Sequence, residues 1–359
     1  MLPHLSAVVG QFRTGGTCLA AVPHGTGHIH DTFRVPNARP GGPDYLLQRI
    51  NHRVFARVPE LMDNIRRVTE HLRHHAGRLT LTLVPTREGK NYYQDDGGSY
   101  WRMYLFIAGA RSYDLAQTTG QAYQGGRAFG QFGAWLADLP GAPLVETIPD
   151  FHNVETRLGA FREVLKTDPL GRAGEVAREI DFVEARAAEM PTLLRLGRAG
   201  TIPLRTTHND TKFNNVLLDA EGQARCVVDL DTVMPGYVGY DFGDSIRTLV
   251  NTAAEDEADL GKIGLHLPFF EAYARGFLEE TAHFLTPAER NTLAFGCRLL
   301  PFLMGLRFLT DHLGGDLYYK IHFEGHNRQR ARAQFRLLEC LEAQYSTLQI
   351  LLDQAAGKS

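Results

Sequence analysis

The chain has 359 residues, of which 43% are hydrophobic and 22% charged, and its formal net charge is −3 at pH 7. This composition is typical of a soluble globular protein, and the length allows two lobes with a substantial core. The slightly acidic balance and the lack of a long basic block argue against nucleic acid as a partner.

The N-terminus and the cysteines predict a cytoplasmic protein. The first residues, MLPHLSAVVGQFR, lack the positive region and the apolar run of a signal peptide. The sequence also contains no uninterrupted stretch of about 18 apolar residues, the length needed to span a membrane. The four cysteines, at positions 18, 226, 297 and 340, are far apart and lie in apolar surroundings, which favours free thiols. The sequence leaves the oligomeric state open.

The first predicted elements form a β-rich N-terminal region. Residues 17–37 are typical of a strand, a glycine turn and a second strand, and Gly25 and Gly27 flank Thr26 in the turn. Glycines there would let backbone N–H groups approach phosphate oxygens. Residues 44–50 form a further strand with one cation, Arg49, which we expect to point inward; the alternative is an ordinary strand residue facing solvent.

A helix is predicted from Val58 to His75, where apolar residues recur with helical spacing. Either Glu60 or Glu70 on this helix could orient a phosphate-binding cation, and the sequence does not choose between them. Strand-like runs follow at 79–84, 91–94 and 99–107. The rest of the chain is predicted to be mainly helical, with helical patterns at 119–139, 155–166, 175–190, 267–278, 287–313 and 328–352.

One segment among these helices carries the residues of greatest chemical interest. THNDTKFNNVLLDAEGQARCVVDLDT, residues 207–232, predicts a loop and then a β-hairpin. The hairpin would bring Asp210, Asn215 and Asp229 to one end of a small sheet. Three oxygen-bearing side chains there could surround a hard divalent cation and a reacting hydroxyl, which is the layout of a phosphoryl-transfer site.

The spacing of these residues matches the order found in protein kinases, where an Asp accepts the substrate proton and an Asn and a later Asp bind magnesium. Asp229 lies 14 residues after Asn215 and ends an apolar strand, whereas Asp241, in a DFG triplet, lies 26 residues after it. We therefore assign Asp229 to the metal, and Asp241 to capping or bracing a helix expected near Gly243. Asp231 could support the site or bind a second metal.

The segments HNDTKFNNVLLD, VVDLDTVMPG and YDFGDSIR resemble those of the bacterial N-acetylhexosamine 1-kinases, in the aminoglycoside phosphotransferase and choline kinase superfamily. The resemblance implies an α+β, bilobal, protein-kinase-like fold. A small, mostly antiparallel N-terminal lobe would cover residues 1–108 and bind the nucleotide. A larger, mainly helical lobe would cover 109–359 and carry the catalytic and substrate-binding groups. ATP and Mg²⁺ are the implied cofactors, and His208 would brace the catalytic loop.

The resemblance also implies roles for single residues. Arg49 and the Gly25, Thr26, Gly27 loop would hold the triphosphate. The backbone at Leu105, Phe106 and Ile107, where the lobes join, would bind adenine. Asp210 would accept the substrate proton. The segment RFLTDHLGGDLY resembles the sugar-binding segment of these kinases, so that Arg307 and Tyr318, together with His28, would contact the sugar. Taken alone, such an Arg is more often in a surface ion pair and such a Tyr in packing.

The implied reaction is the ATP- and Mg²⁺-dependent phosphorylation of the anomeric C1 hydroxyl of N-acetylglucosamine or N-acetylgalactosamine. A kinase of the same fold acting on homoserine, choline or an aminoglycoside is the nearest alternative, although an aminoglycoside pocket would need more acidic groups than the Arg307 to Tyr318 region has. A non-catalytic pseudokinase would be expected to lack Asp210 or Asp229. A metallohydrolase would need closely spaced histidines; His71 and His75 have that spacing but are interpreted as surface residues.

Overall fold

The computed structural model describes residues 3–18, 20–25, 29–75 and 80–357. The N-terminal lobe is built on a five-stranded antiparallel sheet with the strand order β1-β2-β3-β5-β4. Its elements are α1 (Pro3–Val9), β1 (Val22–Pro23), β2 (Asp31–Val35), β3 (Tyr45–Ile50), α2 (Val58–His74), β4 (Tyr93–Gln94) and β5 (Tyr100–Leu105).

The two faces of this sheet pack against different helices. On one face Leu47 and Trp101 contact apolar residues of α1, and on the other Ile50 and Tyr104 pack against α2. Because successive strand residues point to opposite faces, β3 and β5 each contribute to both layers. The α2 layer continues into the C-terminal lobe through Leu136, so that α2 joins the two lobes.

The C-terminal lobe is mainly helical, with two short two-stranded sheets inserted between its helices, β6 with β9 and β7 with β8. Its helices are α3 (Thr119–Leu136), α4 (Val154–Thr167), α5 (Ala177–Arg186), α6 (Thr192–Arg198), α7 (Val238–Leu249), α8 (Leu267–Thr281), α9 (Pro287–Gly314), α10 (His326–Ala343) and α11 (Tyr345–Ala355). Its strands are β6 (Arg205–Thr207), β7 (Val216–Leu218), β8 (Ala224–Val227) and β9 (Met234–Gly236). The predicted α+β, bilobal, kinase-like fold is confirmed.

Several predicted elements have different bounds. The helix predicted at 328–352 is two helices, because Gln344 leaves the helical conformation with φ −104°. The region 175–190 contains only α5 and a short 3-10 turn before it. The helix expected near Gly243 begins at Val238. Of the predicted strand at 79–84, position 79 lies outside the described residues, and Leu83 makes an isolated bridge to Tyr104.

Within the described residues, α9 is long and apolar enough to cross a membrane. In its most hydrophobic window 83% of the residues are buried inside the protein, as in a core helix. Its N-terminus has a complete capping box, in which the Thr286 hydroxyl accepts from the Glu289 N–H and the Glu289 carboxylate accepts from the Thr286 N–H. The helix thus forms the centre of the C-terminal lobe.

Close packing of α7 on α9 depends on glycine. A Cβ built on Gly296 would lie 2.1 Å from the Gly239 carbonyl oxygen, which is far inside van der Waals contact. We expect Gly296→Ala to lower the free energy of unfolding by about 1–3 kcal/mol, the usual cost of overpacking. Gly159→Ala is the control, because a Cβ on this α4 residue would meet nothing within 4 Å. Chemical denaturation measures both, and an equal effect of the two changes would contradict the packing argument.

Candidate active site

The loop between β6 and β7 carries the predicted catalytic residue and is fixed from beneath by α7. The Asp241 carboxylate accepts the backbone N–H of His208 at 2.8 Å and that of Asn209 at 2.7 Å. Asn209 has φ +62°, a left-handed conformation that Asn tolerates better than most residues. The bracing role predicted for Asp241 is therefore present, although Asp241 lies in the first turn of α7 rather than at its N-cap.

Two histidines hold the same loop from the sides. The His208 Nε2–H donates to the Val228 carbonyl at 2.9 Å, and its ring packs edge-on against Phe129 and Phe132. The His152 Nε2–H donates to the Asn209 carbonyl at 2.9 Å. Burial lowers the pKa of His152 to about 4, so this histidine is neutral near pH 7. His208 is thus a brace for the loop, as expected.

Asp210 is the third residue of this loop and lies beside Lys212 and Asn215. The Lys212 ammonium is 2.9 Å from the Asp210 carboxylate. Burial alone would raise the pKa of Asp210, but Lys212 outweighs it, and the pKa is lowered. The Asn215 amide nitrogen donates to the Asp210 carbonyl at 2.8 Å and approaches its carboxylate at 3.3 Å. Asp210 is therefore ionised and able to accept a proton, and the Asn215 Oδ1 is directed away from this contact.

Asp229 follows β8 and has φ +60°. Burial, together with the charges of Asp231 and Asp210, raises the pKa of Asp229 to about 7. Carboxylate oxygens that crowd together in a buried site need additional positive charge, and a hard divalent cation supplies it through oxygen ligands. The chemistry of Asp229 and Asn215 is compatible with a hard divalent cation, and the hydrogen bond from the Val228 N–H to the Asn215 carbonyl, at 2.9 Å, holds their two segments together.

Asp231 is committed to an arginine of the N-terminal lobe. Its two carboxylate oxygens accept from the Arg102 guanidinium at 2.5 and 2.6 Å, and both side chains are at most 3% exposed. Burial would raise the pKa of Asp231, but Arg102 outweighs it and holds that pKa well below its usual range. His30 Nε2 lies 3.4 Å from the same carboxylate. Asp231 therefore joins the lobes, and each of its oxygens already accepts a hydrogen bond from Arg102.

The prediction that Arg49 points inward is wrong. Arg49 pairs in register with Asp31 and Trp101, which places it on the sheet face toward α1, and its half-exposed guanidinium binds the Asp31 carboxylate. The neighbouring strand residue, Gln48, points to the other face and accepts a hydrogen bond from Arg102 at 2.9 Å. Among the described strand residues, the buried cation on the inner face of the sheet is therefore Arg102, whereas Arg34 on the same face is partly exposed.

The other predicted nucleotide contacts are only partly described. Thr26, Gly27 and His28 lie outside the described residues, whereas Gly25 has φ +78°, as a glycine turn requires. The N–H groups of Leu105 and Phe106 already donate to the carbonyls of Thr82 and Asp44, both at 2.9 Å. These two N–H groups are therefore occupied, whereas direct hydrogen bonds from them to adenine would require that they be free.

The two glutamates proposed for α2 are both engaged at the surface. Glu60 forms an ion pair with Arg57, the residue just before α2, and Glu70 forms an ion pair with Arg66 within the helix. The buried polar residues of α2 are Asn64, whose amide nitrogen donates to the Val145 carbonyl at 2.8 Å, and Thr69, whose hydroxyl donates to the Ile65 carbonyl at 2.8 Å. In the described part of the chain, neither glutamate pairs with Arg49 or Arg102.

Arg307 and Tyr318 are brought together, as the sequence predicts. The Arg307 guanidinium lies 5.8 Å from the Tyr318 ring centroid, 5.5 Å from that of Tyr319 and 5.2 Å from that of Phe151. Phe151 precedes His152, whose ring holds the catalytic loop. Among the described residues Arg307 has no carboxylate partner; its one polar contact is the Met304 sulfur at 3.7 Å. Its donors remain free for a ligand near the catalytic loop.

A second arginine and a tyrosine add to this surface. Burial and the nearby Arg307 cation lower the pKa of Arg157, and Arg157 Nε and the Tyr319 hydroxyl are buried without a partner among the described residues. The segment after α9 is held by one side chain: the Asp311 carboxylate accepts the backbone N–H groups of Leu317, Tyr318 and Tyr319 at 2.9–3.0 Å. Tyr318 is therefore held in place through its backbone although its ring is exposed.

Sequence reasoning missed Lys212, Arg102 and His30. Lys212 follows Asp210 by two residues and could have been found from that spacing. Arg102 is a single charge in the apolar run YWRMYLF, which indicates a buried cation that needs a partner. No local pattern in the sequence distinguishes His30.

Comparisons with known proteins agree with this geometry. Residues 20–278, well over half of the chain, match the model of the APH, or phosphotransferase enzyme, family. Similar solved structures include an aminoglycoside phosphotransferase from Alicyclobacillus acidocaldarius (13% identity, 97% of each chain, TM-score 0.61) and a microcompartment-associated aminopropanol kinase (15%, 97% of this chain and 99% of that one, 0.60).

A third similar structure is the amicoumacin kinase hAmiN in complex with AMP-PNP, Ca²⁺ and Ami, at 16% identity over 94% of this chain and 93% of that one, with a TM-score of 0.61. Identities this low show a shared fold, whereas the family match covers the catalytic loop and the hairpin with Asp229. The chain belongs to the phosphotransferase enzyme family and is a small-molecule kinase.

Proposed function

We propose that this kinase transfers the γ-phosphoryl group of ATP to the anomeric C1 hydroxyl of an N-acetylhexosamine, N-acetylglucosamine or N-acetylgalactosamine. The observation that carries the proposal is the position of Arg307. Its guanidinium has no carboxylate partner among the described residues and lies against aromatic rings, among them Phe151, whose neighbour His152 holds the catalytic loop. Asp210 in that loop supplies the acceptor for the hydroxyl proton.

Asp210 orients the sugar hydroxyl and accepts its proton as the O1–Pγ bond forms and the bond from Pγ to the β–γ bridging oxygen breaks, which releases ADP. Lys212, 2.9 Å from the carboxylate, keeps Asp210 ionised before the reaction and offers positive charge to the transferred group. The bracing of His208 and Asn209 by Asp241 fixes the direction of attack. Most of the rate enhancement then comes from positioning and charge stabilisation.

Asn215 and Asp229 are the residues that would hold Mg²⁺ in this proposal. Held by these two residues, the ion would supply positive charge that neutralises the phosphate groups. For ATP we propose contacts with the loop from Gly25 through Thr26 to Gly27 and with the backbone near Leu105, Phe106 and Ile107. Because the N–H groups of Leu105 and Phe106 are occupied, the N–H for adenine would be that of Ile107, which has no partner among the described residues. His28 remains a proposed sugar contact beside Arg307 and Tyr318.

A neutral sugar fits the proposed substrate surface better than a cation does. Arg307 lies close enough to Arg157 to lower the pKa of Arg157, and the nearby Asp244 and Glu255 both bind Arg247, which leaves Asp244 Oδ2 as a buried oxygen without a partner among the described residues. An arginine fork and a tyrosine offer donors to hydroxyl and acetamido oxygens and a ring face for stacking. A polycationic aminoglycoside would face unpaired positive charge.

The competing function is a kinase for an amino alcohol or an aminoglycoside. It is favoured by the substrates named for the similar structures, an aminopropanol kinase and an aminoglycoside phosphotransferase. The deciding experiment is ATP consumption with Mg²⁺ on N-acetylglucosamine, N-acetylgalactosamine, glucose, galactose, choline, aminopropanol, homoserine and kanamycin, with the phosphate position assigned by ³¹P NMR. A 1-phosphate of the N-acetylhexosamines supports the proposal, and turnover of cationic acceptors alone overturns it.

Arg307→Gln tests the sugar contact directly. We expect the KM for the sugar to rise about 10- to 100-fold, the effect of losing one or two hydrogen bonds from a charged donor, while the KM for ATP stays within a factor of about two. Arg275→Gln on α8 is the matched control, because that arginine is exposed and only loosely paired with Glu279. Steady-state kinetics against both substrates gives the result, and an unchanged sugar KM would remove Arg307 from the site.

We also propose a cytoplasmic location and no nucleic-acid or membrane partner. All four cysteines are free, as expected, although Cys18 and Cys340 are only partly buried. Free thiols and a dependence on ATP both suit the reducing cytoplasm.

A further inference from the structure

Two histidines and an aspartate meet where α2 of the N-terminal lobe ends beside the end of α3. His71 Nε2 lies 3.0 Å from an Asp138 carboxylate oxygen and 3.3 Å from His75 Nε2. The three ligand-type atoms all lie within 4.8 Å of one another. The same His71 nitrogen is 2.7 Å from the Trp135 carbonyl oxygen. The histidines interpreted from the sequence as surface residues are therefore part of a polar cluster between the lobes.

The cluster has more acceptors than donors. The Trp135 carbonyl and the Asp138 carboxylate can only accept, so that His71 must carry its proton on Nε2 to serve them. That single N–H cannot satisfy both oxygens with good geometry, and His75 Nε2 points at the same nitrogen. The single His71 proton thus faces the lone pairs of His75 Nε2 and of the Asp138 carboxylate, whereas a cation would be shared by both imidazoles and the carboxylate once that proton has moved to Nδ1.

The spacing suits a transition metal. In a tetrahedral site with Zn²⁺–N bonds of about 2.0–2.1 Å, ligand atoms lie about 3.3–3.4 Å apart. The 3.3 Å between the two Nε2 atoms matches this, and the 3.0 Å to Asp138 requires only a small movement of a side chain that is 75% exposed. His71 and His75 are one helical turn apart, which places both imidazoles on one face.

We propose that His71, His75 and Asp138 form a binding site for a divalent transition-metal ion such as Zn²⁺, separate from the active site. On binding, the His71 proton moves from Nε2 to Nδ1, and water fills the remaining position. Imidazole ligands select Zn²⁺, Co²⁺ or Ni²⁺, whereas Mg²⁺ prefers oxygen. His75 also stacks on the Trp135 ring, with centroids 5.8 Å apart, so its ring is already held near the metal-binding orientation.

Such an ion would connect the two lobes. His71 and His75 belong to the end of α2, which packs on the sheet, and Asp138 follows α3, the first helix of the C-terminal lobe. Between them the apolar contact already includes Leu72, Phe132 and Leu136. A metal bound only by the folded chain stabilises it. We therefore expect Zn²⁺ to raise Tm through this site, without any requirement for ATP or substrate.

The test uses the full-length chain without a histidine tag, freed of metal by chelation and dialysis. Titration with Co²⁺ should produce visible absorption that saturates at one equivalent and is displaced by Zn²⁺ but not by excess Mg²⁺. His75→Gln and Asp138→Asn should each weaken Co²⁺ binding at least about 10-fold, since even the loss of a group that only supports a ligand costs about 10–100-fold. Asp138→Asn is conservative and exposed, and preserves folding.

His74→Gln is the matched control, because this exposed histidine of the same helical turn lies outside the cluster. Its Co²⁺ affinity and its Zn²⁺-dependent rise in Tm should equal those of the unmodified chain. The proposal is overturned if the unmodified chain gives no saturable Co²⁺ spectrum. It is equally overturned if His74→Gln weakens binding as much as His75→Gln, or if both cluster variants bind Co²⁺ normally. Circular dichroism confirms that every variant is folded.

Discussion

Asp210→Asn should reduce kcat by about 10²–10⁴-fold, the range expected when a positioned general base is removed. The amide cannot take the proton of the attacking hydroxyl, yet it is nearly the same size as the carboxylate, so that Asn215 and Lys212 keep their positions. We expect the Kd for ATP, measured by calorimetry with Mg²⁺, to change by no more than a factor of about three. The loss would therefore be confined to the chemical step.

Asp219→Asn is the control for Asp210→Asn. Asp219 lies in the turn between β7 and β8, after the catalytic loop, and accepts the N–H groups of Glu221 and Gln223, at 3.1 and 2.8 Å, a role that an Asn side-chain oxygen can also fill. Turnover by this variant should be close to that of the unmodified chain. Near-normal turnover by Asp210→Asn would exclude Asp210 as the base.

Arg102→Met should lower the free energy of unfolding by about 3–5 kcal/mol, because it leaves the buried Asp231 carboxylate without its cation. Both partners are almost fully buried and joined by two short hydrogen bonds, so solvent screens the interaction very little. Equilibrium denaturation in urea gives the value. The same change removes a contact between the sheet and the hairpin that carries Asp229, so activity should fall as well.

Two further variants show whether the charge is the cause. Adding Asp231→Asn to Arg102→Met removes the orphaned charge and should restore most of the lost stability. Arg49→Met removes an arginine from the same sheet, but its partner Asp31 and its own side chain are about half exposed, and such pairs contribute about 0–1 kcal/mol. A loss below about 1 kcal/mol in Arg102→Met, or no recovery in the double variant, would contradict the assignment.

The catalytic loop could be predicted because its chemistry is local. Asp210 and Asn215 are five residues apart in one short turn, so their spacing alone brings them together, and the apolar strand before Asp229 fixes its place. Arg102 and Asp231 are 129 residues apart, and no pattern in either segment records their contact. Such a pair appears only when the sheet and the hairpin are folded against each other.

Arg49 illustrates a different limit. The strand was predicted correctly within one residue, from 44–50 to Tyr45–Ile50, but side chains alternate between the faces of a strand. An error of one position therefore transfers a residue from the cleft to the opposite surface, as with Gln48 and Arg49. The break between α10 and α11 was also missed, because the spacing of apolar residues continues through Gln344 although the backbone leaves the helical conformation there.

The anchoring of the segment after α9 by Asp311 has an evolutionary consequence. Three consecutive backbone N–H groups bind this one carboxylate, so the course of the chain does not depend on the exposed side chains of Leu317 and Tyr318, whereas Tyr319 also packs on Phe308. Mutation can exchange these side chains, and with them the groups offered to an acceptor, while the segment keeps its path and the catalytic loop, held by other residues, is untouched. Acceptor preference can therefore diversify among descendants of this chain faster than its phosphate-transfer chemistry.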